Sequence, residues 1–195
     1  MTTLHVCGMD PSLRSWGLAK GTYDVASRKI SVLAMGVISP AIPTGKQVRQ
    51  NSKDIEAAAQ LFDVAMMFAK DSQAVFVEVP VGSQSSRAMA GYAICCGVLG
   101  AIRAMGKPFF EQTPTEIKLA GAGNKEATKL EMIEWAVSAH PEAPWPTYKE
   151  RGVDQLSRAK AEHMADAVAA IHAGVNSQAF KQFVAMLSLK ESIAA

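Results

Sequence analysis

The chain has 195 residues, of which 49% are hydrophobic and 19% charged, so we expect one globular domain over residues 1–195 and exclude a disordered chain. The formal net charge is only +2, so any surface that meets nucleic acid must be local. The three cysteines, with Cys95 beside Cys96, argue against a disulfide framework and favour a reducing compartment.

Three β-like runs open the chain. They cover residues 3–9, 16–24 and 29–39, and short turn segments separate them. This spacing predicts an antiparallel three-strand meander. The first run, "TLHVCGM", leads directly to Asp10, an acidic residue at the end of an apolar stretch.

Helix and strand patterns then alternate. Apolar spacing predicts a helix over residues 46–70, a buried strand over 74–79, a helix over 86–105 and a strand over 108–112. The most apolar run, residues 88–102, is shorter than the ~20 residues that span a bilayer. We therefore interpret it as a buried helix and expect no membrane partner.

The C-terminal half is mostly helical in pattern. A short helix begins after Thr113, with Pro114 at its first position and Glu116 completing a capping box. Further helices are predicted over residues 125–139, 158–173 and 178–190, and a proline-rich loop over 140–154. The order of elements predicts a mixed α/β domain whose sheet is covered by helices.

Acidic side chains in apolar segments are the strongest functional signal. Asp10 ends the first strand and Glu78 lies late in the fourth; a turn cap and an ion pair are the structural alternatives. The segment "AEHMADAVAAIHAG" adds Glu162, His163 and Asp166 on one helix face. Clustered carboxylates repel one another, and a divalent cation removes that repulsion. Oxygen ligands suit Mg²⁺ or Mn²⁺, and two such ions ~4 Å apart serve phosphodiester hydrolysis.

Four segments, in this order, resemble the RuvC family of Holliday junction resolvases in the RNase H-like superfamily. They are "GMDPSLRSWGLA", "VFVEVP", "IKLAGAGNKEATKLEM" and "HMADAVAAIHAG", and the match covers roughly residues 4–174. The resemblance implies a mixed five-stranded sheet, its first three strands antiparallel, flanked by helices.

The resemblance also implies an activity. A homodimer would nick four-way or other branched DNA with Mg²⁺ or Mn²⁺, two ions per site, as a crossover junction endodeoxyribonuclease of DNA recombination and repair. Asp10, Glu78, His163 and Asp166 would be the metal-binding and catalytic residues, with Glu162 as an alternative ligand to His163. A cytoplasmic location, in a bacterium or a phage-infected cell, would follow.

Basic residues of the same segments are candidates for DNA contact. The resemblance places Lys118 and Lys129 there, with Lys125 as an alternative to Lys129, beside a glycine-containing stretch that precedes a helix. Arg14 follows the first aspartate and could reach a phosphate. A solvated surface position is the alternative for each of them.

The chain departs from the family after Glu78. Many members carry an aromatic residue there that wedges bases, whereas this chain has Pro80 and Val81. The loop over residues 140–154 is a second departure, and Trp145 and Tyr148 within it either stack on bases or pack inward. These departures suit a bacteriophage-type member with broader specificity for branched DNA.

The helix predicted over residues 86–105 is apolar nearly all round and must be covered on more than one side. Either a second subunit or the C-terminal helix would cover it. Two other functions stay open: a non-catalytic protein that binds branched DNA with the same fold, and an ATPase related to actin and sugar kinases. The latter class needs a second glycine-rich phosphate-binding hairpin, which is not visible in the sequence.

Overall fold

A five-stranded mixed sheet forms the centre of the molecule, in a computed structural model that describes residues 3–45 and 47–194. Its spatial order is β3-β2-β1-β4-β5; β1, β2 and β3 are antiparallel, and β4 and β5 run parallel to β1. The predicted fold class is thereby confirmed. The strands are β1 (Thr3–Asp10), β2 (Trp16–Asp24), β3 (Ile30–Ile38), β4 (Ala74–Glu78) and β5 (Phe109–Gln112).

Six helices flank this sheet in the described part of the chain. They are α1 (Gln50–Ala69), α2 (Ser86–Ala104), α3 (Pro114–Ala120), α4 (Lys129–Ala139), α5 (Arg158–Asn176) and α6 (Gln178–Ala194). The first begins later than predicted, and the predicted start at Lys46 lies outside the described residues. No helix among residues 3–45 and 47–194 is long and apolar enough to cross a membrane.

Capping boxes fix the starts of α3 and α4. The Thr113 backbone N–H donates to Glu116 at 2.7 Å, and the Thr113 hydroxyl accepts from the Glu116 N–H, as the sequence predicts. Thr128 and Glu131 repeat the arrangement. The predicted start of α4 at residue 125 is therefore wrong by four residues, because the chain turns on Asn124 before Thr128 caps the helix.

The predicted loop over residues 140–154 is also corrected. It contains β6 (Thr147–Glu150), which pairs with β7 (Val153–Leu156) as a separate antiparallel hairpin. The turn residues Arg151 and Gly152 have φ values of 50° and 84°, as a type I′ turn requires. Arginine is not typical of that turn, so the turn residues do not predict a hairpin. Both strands are exposed and lack hydrophobic alternation, so their sequence does not predict strands either.

The alternation of β1 divides the core between the two faces of the sheet. Leu4 and Val6 pack toward α5, while Cys7 and Met9 pack toward α1 and α2. Helix α6 joins the α5 side, where the Phe180 ring lies edge-on to Phe76 with centroids 5.0 Å apart. The C-terminal helix therefore covers the face opposite α2, and the alternative that it covers α2 within one chain is wrong.

Helix α5 lies directly against the strands because glycines leave room for it. A Cβ on Gly8 would lie 2.0 Å from the Ala167 carbonyl oxygen, and one on Gly17 would lie 2.0 Å from that of His163. A Cβ on Gly174 would lie 1.9 Å from the Phe76 ring. No side chain fits at these points unless the helix moves away from the sheet.

Replacement of Gly8 by alanine should therefore destabilise the fold. We expect Gly8→Ala to lower the free energy of unfolding by about 3 kcal/mol, because the new methyl group overlaps the backbone of α5. Urea denaturation measures the loss. Gly100→Ala is the matched control. Its methyl group meets no described atom within 4 Å, and alanine is about 1 kcal/mol more favourable than glycine in the interior of a helix. Equal stability of Gly8→Ala and wild type would contradict this account of the α5 contact.

Candidate active site

The predicted acidic residues meet at one edge of the sheet. Asp10 ends β1 and Glu78 ends β4, and these two strands are parallel neighbours in the sheet. Their carboxyl ends therefore lie side by side. Helix α5 crosses the same edge and brings His163 and Asp166, since the His163 backbone lies against Gly17, the β2 partner of Asp10.

A hydrogen bond joins the helix to the first strand. His163 Nδ1 lies 2.9 Å from Asp10 Oδ2, and the two side chains are 25% and 16% exposed. This bond raises the pKa of His163, partial burial opposes the shift, and the Asp10 charge adds to it. The imidazole is thus held in a fixed orientation beside the Asp10 carboxylate.

Burial and mutual repulsion raise the pKa of the other two acids. Desolvation and then the Asp10 charge bring the pKa of Glu78 to about 8, although the positive charge of Lys118 acts the other way. Desolvation and then the Asp10 charge bring that of Asp166 to about 7. Three carboxyl groups on three elements therefore share one poorly solvated site, where a positive charge would be strongly favoured.

Glu162, the alternative to His163, points toward a different partner. Its Oε1 lies 2.5 Å from Lys129 Nζ at the start of α4, and this contact raises the pKa of Lys129. His163, in contrast, contacts Asp10. The two neighbouring residues thus have different partners, and only His163 makes a direct contact with Asp10, although the Glu162 charge also helps to raise the pKa of Asp166.

The candidate DNA-binding residues lie at varied distances from this cluster. Lys118 is close enough to Glu78 to act on its pKa. Lys129 is tied to Glu162, and Lys125 is exposed in the turn before α4. Arg14 follows β1 and lines an open cavity of about 340 Å³.

Sequence reasoning did not single out the other side of that cavity. Ser85, Arg87 and Tyr92 from the start of α2 line it opposite Arg14. The Arg87 guanidinium makes two bonds to Asp54 of α1, at 2.7 and 2.8 Å, which hold the two helices together beside the cavity. The pattern "SQSSR" gives a helix start in the sequence but no hint of its partner on α1.

The donor chemistry of the cluster suits Mg²⁺ or Mn²⁺, which prefer carboxylate oxygens. Across residues 3–45 and 47–194, however, no three His, Cys, Asp or Glu side chains are arranged to hold a metal ion. Asp10 and Glu78 nonetheless end neighbouring parallel strands, and His163, three residues before Asp166 on α5, contacts Asp10. The backbone therefore fixes where these carboxyl groups start, and rotation of the side chains would change the distances between their oxygens. The residues fit the metal by donor type.

Solved structures similar to this fold include two of RuvC from Thermus thermophilus. One, in complex with a Holliday junction substrate, is 23% identical, covers 87% of this chain and 92% of its own, and gives a TM-score of 0.60. The other is 24% identical with the same coverage and a TM-score of 0.58. The Fowlpox virus resolvase with Holliday junction DNA, at 12% identity, covers 88% and 95% with a TM-score of 0.49. No family model and no curated protein matches the chain.

These comparisons define the class of fold. The chain is an α/β protein of the RNase H-like type, and its fold is that of RuvC over most of its length. The resemblance to RuvC that the sequence indicates is thus confirmed at the level of the fold.

The acidic cluster should destabilise the protein at neutral pH in the absence of metal. Because the folded-state pKa of Glu78 is raised, its contribution to stability is present below about pH 4.5 and is lost as the pH rises through about 8. We expect Glu78→Gln, in EDTA at pH 8, to raise the free energy of unfolding by ~3 kcal/mol and to have little effect at pH 5.

Urea denaturation at the two pH values checks this, with Glu111→Gln as the control. Glu111 lies on β5, is 55% exposed and pairs with Arg103, so its replacement should change stability little at either pH. Mg²⁺ should stabilise wild type at pH 8 more than it stabilises Glu78→Gln. A pH-independent effect of Glu78→Gln would show that Glu78 is not in a repulsive cluster.

Proposed function

We propose that this protein is a divalent-metal-dependent endonuclease that nicks four-way (Holliday) or other branched DNA by hydrolysis of a phosphodiester bond. The observation that carries the proposal is the meeting of Asp10, Glu78 and Asp166 at one edge of a RuvC fold. A site of this charge repels a DNA phosphate unless cations occupy it.

Asp10, Glu78 and Asp166 would hold Mg²⁺ or Mn²⁺, with His163 beside them. When bound, two such ions supply charge for the attacking and leaving oxygens of the phosphodiester. The chain's own residues position this chemistry. His163 orients the Asp10 carboxylate through the 2.9 Å contact, and partial burial limits the access of water to the Glu78 and Asp166 carboxyl groups.

The proposed substrate class rests on the fold and on basic residues near the site. Among the similar structures, RuvC from Thermus thermophilus is in complex with a Holliday junction substrate. In this chain Lys118 lies beside Glu78, and Arg14 lines the neighbouring cavity. Both would contact phosphates on either side of the scissile bond, and Lys125 and Lys129 would extend the contact along the glycine-containing stretch.

The acidic residues should be required for cleavage and dispensable for binding. We expect Asp10→Asn and Asp166→Asn to lower the nicking rate on a labelled four-way junction by about 100-fold or more with Mg²⁺, because each removes a charge that holds the ions. Junction binding in EDTA should be retained or strengthened, since one negative charge is lost. Gel assays of nicking and of binding measure both effects.

Glu162→Gln is the matched control within the same helix. Its carboxylate pairs with Lys129, so its neutralisation should change nicking far less than Asp166→Asn. A larger loss in Glu162→Gln would assign the ligand to Glu162. Junction binding without nicking by wild type would favour the non-catalytic alternative, and metal-dependent ATP hydrolysis without junction binding would favour the ATPase.

A homodimer belongs to the same proposal. Helix α2 presents small residues outward, Ala93, Gly97 and Ala101, and with Ile55 and Phe62 of α1 they line an apolar groove of about 730 Å³. Ile55 is 72% exposed. Since a four-way junction offers two equivalent strands, a two-fold pair of subunits joined through this groove would place one site at each.

A charge in the groove should separate the subunits. We expect Ala93→Glu, at an exposed position, to shift the protein from dimer to monomer in sedimentation at micromolar concentration and to abolish paired nicks. Met67→Glu, at a 63% exposed position of α1 outside the groove, should remain dimeric. A monomeric wild type that makes paired nicks would contradict this arrangement.

A further inference from the structure

The β6–β7 hairpin stands at the same edge of the sheet as the acidic cluster. Helix α5 runs back across the sheet from this edge, because its His163 lies against Gly17, its Ala167 against Gly8 and its Gly174 against Phe76. The hairpin directly precedes α5 and so lies beyond the edge that carries Asp10. Gln155 is the residue opposite Tyr148 in the hairpin, and the chain path from His163 back to Gln155 is at most about 20 Å.

The base of the hairpin is fixed to the body of the protein. The Ser157 N–H donates to the Pro146 carbonyl oxygen at 2.8 Å, which closes the two strands. Leu156 packs against the cluster formed by α4 and α5, and the Trp145 indole donates to the His140 carbonyl oxygen at 2.9 Å. Of the two aromatic residues predicted either to stack or to pack inward, Trp145 therefore packs inward.

Tyr148 takes the opposite position. In the strand register it shares a face with Val153 and Glu150, whereas Leu156 belongs to the other face and points to the body. Tyr148 is 50% exposed and Val153 58% exposed, and the Tyr148 hydroxyl donates to Glu150 Oε2 at 3.4 Å. A hydrogen-bonded strand pair thus holds an aromatic ring and an aliphatic side chain outward, which reduces the conformational entropy that these side chains lose on binding.

The hairpin and the start of α5 carry a small excess of positive charge. Residues 147–160 contain four basic residues, Lys149, Arg151, Arg158 and Lys160, and two acidic ones, Glu150 and Asp154, a net charge of +2. In the strand register Lys149 and Asp154 are paired on the face opposite Tyr148, and Glu150 shares the Tyr148 face, so the hairpin cation next to that face is the one in the turn. Arg151 stands at the tip of the turn. Aromatic side chains beside basic residues bind unpaired bases by stacking while the cations contact the backbone.

We infer that the β6–β7 hairpin recognises the branch point of the DNA. Tyr148 stacks on a base that is left unpaired there, and Arg151 contacts a neighbouring phosphate. The inference rests on the proposed function, since it requires a branched substrate at the acidic cluster. It assigns the recognition of the branch to a segment outside the catalytic elements. A chain path of about 20 Å corresponds to about six nucleotides at 3.4 Å each, so one junction can meet both sites.

Binding measurements without cleavage test this role. In EDTA, Tyr148→Ala should weaken binding to a four-way junction about 5- to 100-fold and leave binding to a linear duplex of equal length unchanged. Tyr148→Phe should bind as wild type, because the ring and not the hydroxyl makes the contact. Arg151→Ala should reduce the slope of log affinity against log salt by about one, whereas Tyr148→Ala should leave that slope unchanged.

Met67→Ala is the matched control, since it removes an exposed apolar side chain near the end of α1 that precedes β4, at the far edge of the sheet. It should bind both DNAs as wild type does. Circular dichroism verifies that each variant is folded. Unchanged junction binding by Tyr148→Ala, an equal loss on duplex and junction, or an equal loss in Tyr148→Phe would each overturn the inference while the proposed nuclease stands. Failure of wild type to bind the junction would instead overturn the proposed function, and this inference with it.

Discussion

The close contact between α5 and the sheet is the constraint on which the rest of the structure depends. Glycines at 8 and 17 let the helix backbone touch the strands, and Gly174 makes room for the Phe76 ring. The contact sets the height of α5 over β1, and thereby the position of His163 and Asp166 beside Asp10. A side chain at either strand glycine would move the helix and separate the halves of the site.

The same contact brings together carboxylates that repel one another. Burial raises the pKa of Glu78 and Asp166, and the Asp10 charge raises both further. Packing of apolar side chains on both faces of the sheet must offset this repulsion, and the two large core clusters supply that packing. A site that is unfavourable when empty is well prepared to bind cations, which links the stability of the protein to its proposed chemistry.

Three surfaces around this core have separate roles in the proposed function. The acidic edge would carry out catalysis, the groove between α1 and α2 would join the subunits, and the β6–β7 hairpin would recognise the branch. Each surface is placed by a different contact: the α5 backbone on the sheet, the Arg87–Asp54 pair between α1 and α2, and the packing of Leu156 and Trp145. Substitutions at one surface are therefore separable from those at the others.

The sequence by itself determined the sheet, most helices and the acidic candidates, because these depend on local patterns: alternation in β1, helical spacing, and the Thr113 and Glu116 cap. Only the tertiary structure decided which neighbour each candidate meets. The adjacent residues Glu162 and His163 contact Lys129 and Asp10 respectively, a difference that helical spacing does not predict. The hairpin and the side of the sheet that α6 covers were likewise undetermined by pattern, since an exposed strand pair has no hydrophobic alternation and an amphipathic helix does not specify its partner.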